Sequence, residues 1–182
     1  MIEFNKELWL ERASKRSKGT VRRGSRNRSA AGAQLQVDKF YIECIADVVG
    51  WCSSRGLTVV FGKRPGGTYE TGDKKIIIAC RAAPEKQLYY LLHECGHHLI
   101  GFKEQDERFG MGYPKVDDPD YNSTFHHKFA CLEEEMEAWH RGWRLAKRLR
   151  LKIPRDGFDK VRLECLRSYV QWVNGRTILN DL

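Results

Sequence analysis

A chain of 182 residues, 41% of them apolar, has room for one domain with a hydrophobic core and a tail, but hardly for two domains. No apolar run approaches the roughly 20 residues of a membrane span, and the first residues lack the order of a secretory signal, so we expect no membrane partner. The net charge of +8 equals the charge of eight basic residues between positions 12 and 28, where no acidic residue occurs.

The basic segment is the first feature along the chain. From residue 14 to about residue 32 apolar anchors are scarce, so we expect residues 1–33 to form a basic, mobile arm before a domain over residues 34–182. Such an arm either contacts nucleic acid through its attraction to phosphates or is simply solvated, and both interpretations stay open. The basic residues are Arg12, Lys15, Arg16, Lys18, Arg22, Arg23, Arg26 and Arg28.

Periodicity predicts the elements of the domain. Residues 34–55 show a helical repeat, and apolar runs at residues 57–61 and 76–80 predict two strands of one small sheet. A short strand near Thr68 is expected between them. Pro84 suits the first turn of the helix that follows. Together with the helices expected further along the chain, these elements predict an α+β fold.

Residues 101–121 lack periodicity and predict a long loop. Two amphipathic helices are then expected, one from about residue 122 to residue 151 and one over residues 158–173. The six cysteines are scattered and include no C-x-x-C pair, which is typical of reduced thiols in a cytoplasmic protein.

The helix after Pro84 contains the pattern H-E-x-x-H at residues 93–97. Residues four apart project from the same helix face, so His93 and His97 can bind one ion, and Zn²⁺ suits two imidazoles. Glu94 lies about 100° around the helix from His93, where its carboxylate can take a proton from water beside the metal. The pattern therefore predicts two zinc ligands and a general base.

A catalytic zinc site needs a third protein ligand, which we expect on the helix over residues 122–151. Glu135 is favoured because it neighbours the apolar positions Met136 and Trp139, which should turn its side chain inward. Glu133 and Glu134 are expected on a solvated face. The candidates on this helix are Glu133, Glu134, Glu135, Glu137, His126, His127 and His140.

The motif and its surroundings resemble the ImmA/IrrE family of zinc metallopeptidases, and the wider gluzincin group is similar. The likeness covers roughly residues 35–150 and consists of a strand, a helix reading LLHECGHHLIG and a later helix reading EMEAW. It implies a small zincin-like domain with a short β-sheet beside the H-E-x-x-H helix, and Glu135 in an E-x-x-A string as third ligand. The chain departs from the family at Trp139, where Asn or Asp commonly orients a ligand histidine.

This resemblance implies an enzyme that hydrolyses peptide bonds of a protein substrate, such as a regulatory or DNA-associated protein, with zinc as cofactor. Glu94 would accept the proton of the attacking water and pass it to the leaving amine. An oxyanion also needs a hydrogen-bond donor, and several residues qualify. They are His140, His126 and Tyr121, together with His98, Tyr113 and His127.

Two alternatives remain. A SprT-like protease would use a histidine, His126 or His127, as third ligand, and its action on DNA-linked proteins would suit a basic arm. A non-enzymatic zinc protein could bind nucleic acid or act in assembly through residues 12–28. Glu94 argues against this second alternative, because a structural zinc site has no use for a base.

Overall fold

The structure is a computed structural model that describes residues 1–21, 28–109 and 124–175, without the side chains of residues 18–21, 28–29 and 102–107. Within these ranges the chain forms five helices and a four-stranded mixed sheet, so the expected α+β class is confirmed. The chain divides into two compact units, Met1–Leu91 and Leu92–Leu182.

The sheet belongs to the first unit. Its strands β1 (Ile2–Glu3), β2 (Thr58–Gly62), β3 (Gly67–Glu70) and β4 (Lys75–Ala79) lie in the order β1-β2-β4-β3. The central pair, β2 and β4, is parallel, whereas β1 and β3 join it as antiparallel edge strands. Both predicted central strands and the short strand near Thr68 are therefore confirmed, and β1 was not predicted.

Two helices of the first unit pack together, α1 (Lys6–Val21) and α2 (Arg28–Ser53). Ala13 and Ala31 are buried, and Ser17 Oγ donates a hydrogen bond of 3.0 Å to the carbonyl oxygen of Ala31. The structure thus differs from the arm expected over residues 1–33, since most of its described residues are helical and its boundary falls inside α2. The two helices pack through small alanine side chains, which a prediction based on large apolar side chains does not detect.

The motif-bearing helix, α3 (Pro84–Phe109), begins in the first unit. Gln87 accepts a hydrogen bond of 3.2 Å from Trp9 Nε1 and donates one of 3.0 Å to the carbonyl oxygen of Ala79. Gln87 and Trp9 are both buried, so these bonds satisfy polar groups that water cannot reach. They fasten the first turns of α3 to α1 and to the end of β4.

An interruption divides α3 at Gly101, whose φ of 73° and ψ of 154° are accessible mainly to glycine. The helix then continues to Phe109, which is 2% exposed and forms a core cluster with Ile100 and Ala138. The loop expected over residues 101–121 is therefore wrong up to residue 109, because the break gives the two helical segments different phases and hides the repeat. Its remainder, residues 110–121, lies outside the described residues.

The second unit is completed by α4 (Phe125–Arg148) and α5 (Arg155–Val173), which pack together. Thr124 caps α4, because its hydroxyl accepts a hydrogen bond of 3.2 Å from the backbone nitrogen of His127. Pro154 stands immediately before α5. These helices confirm the two that were expected here, within a few residues at each end.

The orientation of α4 differs from expectation. Met136 was expected to face inward, but it is 40% exposed, and the large side chains of Phe125 and Phe129 are 63% and 45% exposed. The buried face instead consists largely of small and polar residues, including Ala130, Ala138 and Gly142. Trp139 faces inward as expected, but close helix packing fills much of the buried face with small residues.

Two further observations concern the expected compartment. None of the helices in the described ranges is long and apolar enough to cross a membrane. No disulfide joins any of the six cysteines, all of which belong to the described residues. A cytoplasmic location stays a prediction.

Candidate metal centre

Glycines let α3 and α4 cross in direct backbone contact. A Cβ atom built on Gly96 would lie 1.9 Å from the carbonyl oxygen of Ala138, and one on Gly142 would lie 2.4 Å from that of Leu92. Real Cβ atoms essentially never approach another atom more closely than 3.0 Å, so only glycine fits either position. The crossing brings the middle of α4 against the H-E-x-x-H turn.

Three buried side chains converge at this crossing, His93, His97 and Glu135. His93 Nε2 lies 3.1 Å from Glu135 Oε2 and 3.2 Å from His97 Nε2. His97 Nε2 lies 3.4 Å from Glu135 Oε1. This group, in which every residue directs one ligand atom at the other two, could hold a metal ion.

The spacing of these atoms fits a small tetrahedral ion. Two ligands that bind zinc at about 2.0–2.1 Å along tetrahedral directions are about 3.3 Å apart. The three measured separations, between 3.1 and 3.4 Å, bracket this value. Two imidazoles and one carboxylate are also a donor set that catalytic zinc sites use.

The site favours positive charge. Burial by itself would lower the pKa of His97, but hydrogen bonds to Glu134 and Glu135 outweigh burial and raise the pKa to about 10. Burial would likewise raise the pKa of Glu135, yet its hydrogen bonds with His93 and His97 hold that pKa well below its usual range. A proton or a metal cation can supply the charge that these carboxylates stabilise.

Glu134 was expected on a solvated face, and this expectation is wrong. Its side chain is fully buried, with Oε1 3.5 Å from Nδ1 of His97, whereas Glu133 is exposed as expected. Histidines that bind metals commonly donate their second N–H to a carboxylate, which fixes the ring. The spacing of Glu134 from Ala138 and Cys131, which places all three on one helix face, was the signal that sequence analysis missed.

Glu94 is 5% exposed, and its charge is one of those that raise the pKa of His97. Its carboxylate therefore lies near the candidate ligands without belonging to the converging group. This position is compatible with the role of a base, which stays a prediction.

Trp139 packs directly on the site. It is fully buried, and its ring stacks on the His93 imidazole with centroids 4.4 Å apart and planes inclined by 20°. Trp139 also contacts Phe158 on α5, whose ring meets it edge-on with centroids 5.3 Å apart. The residue at which the chain departs from the family pattern thus contacts a candidate ligand.

The structure describes some of the candidate oxyanion donors, and His98, the neighbour of His97, is half-buried. His126 and His140 are exposed, and no described contact joins either one to the three converging residues. His127 is buried beside Cys131, with its Nε2 3.6 Å from the thiol sulfur. Tyr113 and Tyr121 lie outside the described residues.

The basic residues near the N-terminus are only partly described. Arg12 lies over the ring of Trp9 at 4.8 Å, Lys15 forms an exposed ion pair of 2.6 Å with Glu11, and Arg16 is exposed. The side chains of the others, Lys18, Arg22, Arg23, Arg26 and Arg28, lie outside the described residues. Contact with nucleic acid stays a prediction.

Comparison with known protein families, with curated proteins and with solved structures finds no match. The likeness to the ImmA/IrrE family therefore rests on the motifs quoted above. A function for the chain must be argued from the geometry of the site.

Proposed function

We propose that the protein is a zinc-dependent metallopeptidase that hydrolyses peptide bonds of a protein substrate. The observation that carries this proposal is the buried convergence of His93, His97 and Glu135, with the carboxylate of Glu94 nearby. Burying imidazoles and carboxylates costs stability unless they have partners. A metal ion shared by the three converging residues would be such a partner.

The ligand set favours a catalytic ion over a structural one. Structural zinc sites are usually closed by four protein ligands, whereas three ligands leave one position for water or substrate. A zinc ion held by His93, His97 and Glu135 would polarise the scissile carbonyl and lower the pKa of a water molecule from ~15.7 towards ~7. The nearness of Glu135 also favours a glutamate ligand over the histidine of the SprT-like alternative.

The chain's own residues supply the proton transfers and the geometry. Glu94 accepts a proton from the attacking water and passes it to the leaving amine. Glu134 accepts a hydrogen bond from the Nδ1–H of His97 and thereby directs Nε2 of that ring towards the ligand group. A regulatory or DNA-associated protein is the substrate class implied by the family likeness.

Elemental analysis combined with a cleavage assay tests the proposal. The purified parent should contain about one zinc per chain, which Glu135→Ala should lose and the exposed control Glu133→Ala should keep. Glu94→Gln should keep its zinc but no longer cleave an unfolded protein such as casein. A parent without zinc after reconstitution, or a Glu94→Gln variant that cleaves at the parental rate, would refute the proposal.

A further inference from the structure

We propose that Trp139 is the positioning residue for His93. Its indole orients the His93 imidazole by stacking, whereas a carboxylate orients the imidazole of His97. This inference rests on the metal site of the proposed function and adds how one of its ligands is oriented. It concerns a residue that the catalytic scheme does not use and that departs from the pattern of the family.

The two histidines have different surroundings. His97 has Oε1 of Glu134 3.5 Å from its Nδ1, which lies on the opposite side of the ring from the converging Nε2. Nδ1 of His93 is buried and has no hydrogen-bond partner among the described residues. The hydrogen bond that usually orients a ligand histidine is therefore missing from the described surroundings of His93.

The indole of Trp139 covers one face of the His93 ring. The nearly parallel planes, 20° apart, and the centroid separation of 4.4 Å define a stack rather than an incidental contact. Trp139 is itself fully buried, and Phe158 packs edge-on against its ring. The surface on which the imidazole rests is thus held in place from a second helix.

Such a stack can orient an imidazole ring, as a hydrogen bond to Nδ1 does in other sites. The last torsion of a histidine side chain is broad, so packing must decide which way the ring nitrogens point. A metal ion is bound only when the in-plane lone pair of Nε2 points at it, and turning the ring about its bond to Cβ would drive the imidazole edge into the indole. Trp139 thereby fixes the plane of the His93 ring, and in this plane Nε2 faces Glu135 and His97.

Zinc affinity of three variants tests this role, measured by competition with a chelator and without any substrate. Trp139→Leu should weaken zinc binding by about 10- to 100-fold, the usual effect of removing a group that orients a ligand. Trp139→Phe keeps an aromatic face and should recover most of the lost affinity. Trp143→Leu is the matched control, because it removes the same type of ring one turn further along α4, where the indole contacts Phe158 and has no described contact with His93, and it should bind zinc like the parent.

A purely structural role would give a different pattern. Equal losses in Trp139→Leu and Trp143→Leu, or in Trp139→Leu and Trp139→Phe, would overturn the proposal, as would parental affinity in Trp139→Leu. Replacing zinc by Co²⁺ adds a spectroscopic signature, since its visible absorption reports ligand geometry. The band should change in Trp139→Leu and stay unchanged in Trp143→Leu.

A measurement on the parent alone covers the case in which Trp139→Leu does not fold. The ring current of a stacked indole should shift the ring protons of His93 upfield in the nuclear magnetic resonance spectrum of the zinc-loaded protein. Ordinary shifts for those protons would overturn the proposal. Zinc binding without peptide hydrolysis would instead refute only the proposed activity, so the two failures are distinguishable.

Discussion

The guanidinium of Arg141 on α4 donates a hydrogen bond of 2.6 Å to the carbonyl oxygen of Leu99 on α3. Leu99 stands just before the break at Gly101, where carbonyl groups lose their partners within the helix. Glu137 holds the other side of the guanidinium through an ion pair of 2.8 Å. One turn of α4 thus caps the end of the segment that carries the H-E-x-x-H motif.

Replacing Arg141 by Ala should therefore destabilise the protein. A hydrogen bond to a charged group is worth about 1.5–3 kcal/mol, and the partial exposure of Arg141 reduces this to about 1–2 kcal/mol. Urea unfolding measures the change, with the exposed Arg144→Ala as control. The prediction fails if the two variants unfold at the same urea concentration.

Substitution of the crossing glycines should remove the metal site as well as stability. Gly96→Ala and Gly142→Ala would each force α3 and α4 apart, because a Cβ would lie within 2.4 Å of a backbone oxygen. We expect losses of more than about 2 kcal/mol together with loss of zinc. Gly50→Ala on α2, where a Cβ meets nothing within 4 Å, should instead be neutral or stabilise by about 0.4–1 kcal/mol. Thermal unfolding and zinc content of the three variants test this prediction. Equal unfolding temperatures and equal zinc contents in all three would contradict it.

The buried carboxylate of Glu134 should tune zinc affinity. Glu134→Gln removes the charge opposite His97 Nδ1 with little change of shape, so zinc binding should weaken by about 10- to 100-fold. Glu133→Gln removes the same charge from an exposed neighbour and should have no measurable effect. Chelator competition compares the two, and equal affinities would contradict the assigned role of Glu134.

The stability of the metal-free protein should depend on pH through the same site. The pKa of His97 is raised from 6.5 to about 10, so its contribution is complete below pH 6.5 and is lost as the pH rises towards 10. The pKa of Glu135 is lowered from 4.5, so its contribution is present above pH 4.5 and is lost as the pH falls further. These two groups together stabilise the fold most between pH 4.5 and 6.5.

Unfolding of chelator-treated protein tests this dependence. The stability difference between the parent and His97→Gln should shrink as the pH rises from 6.5 to 10. Added zinc should reverse the trend, because a metal competes with the proton on His97 and binds more tightly at higher pH. A difference that stays constant over this range would contradict the shifted pKa. His140→Gln, which changes an exposed histidine, serves as control.

The sequence predicted which ligand candidates converge better than it predicted their surroundings, and the role of Glu94 as a base stays a prediction. His93, His97 and Glu94 follow from helical spacing, which is local and needs no knowledge of the partner helix. Glu135 was favoured on the grounds that it flanked an inward apolar stripe, yet Met136 of that stripe is exposed. Trp139 of that stripe is fully buried as expected, and the close backbone approach that Gly96 permits brings α4 against the motif.

Several of the remaining errors share one physical cause. Small residues bury backbone against backbone, and a search for large apolar side chains undervalues that kind of contact. For the same reason, Ala13 and Ala31 were assigned to an arm and Glu134 was expected in solvent, although all three residues are buried. The stack of Trp139 on His93 joins residues of different helices, so no local pattern could have revealed it.

The separation of the candidate ligands along the chain affects how quickly the protein would be degraded in a cell. Roughly forty residues separate His97 from Glu135, so a bound ion would close a loop of that length much as a covalent cross-link does. Loss of the ion would release that constraint on the unfolded chain and lower the barrier to degradation at the same time as it ended activity. Metal supply would then set the lifetime of the protein as well as its turnover, and inactive molecules would be the first to be removed.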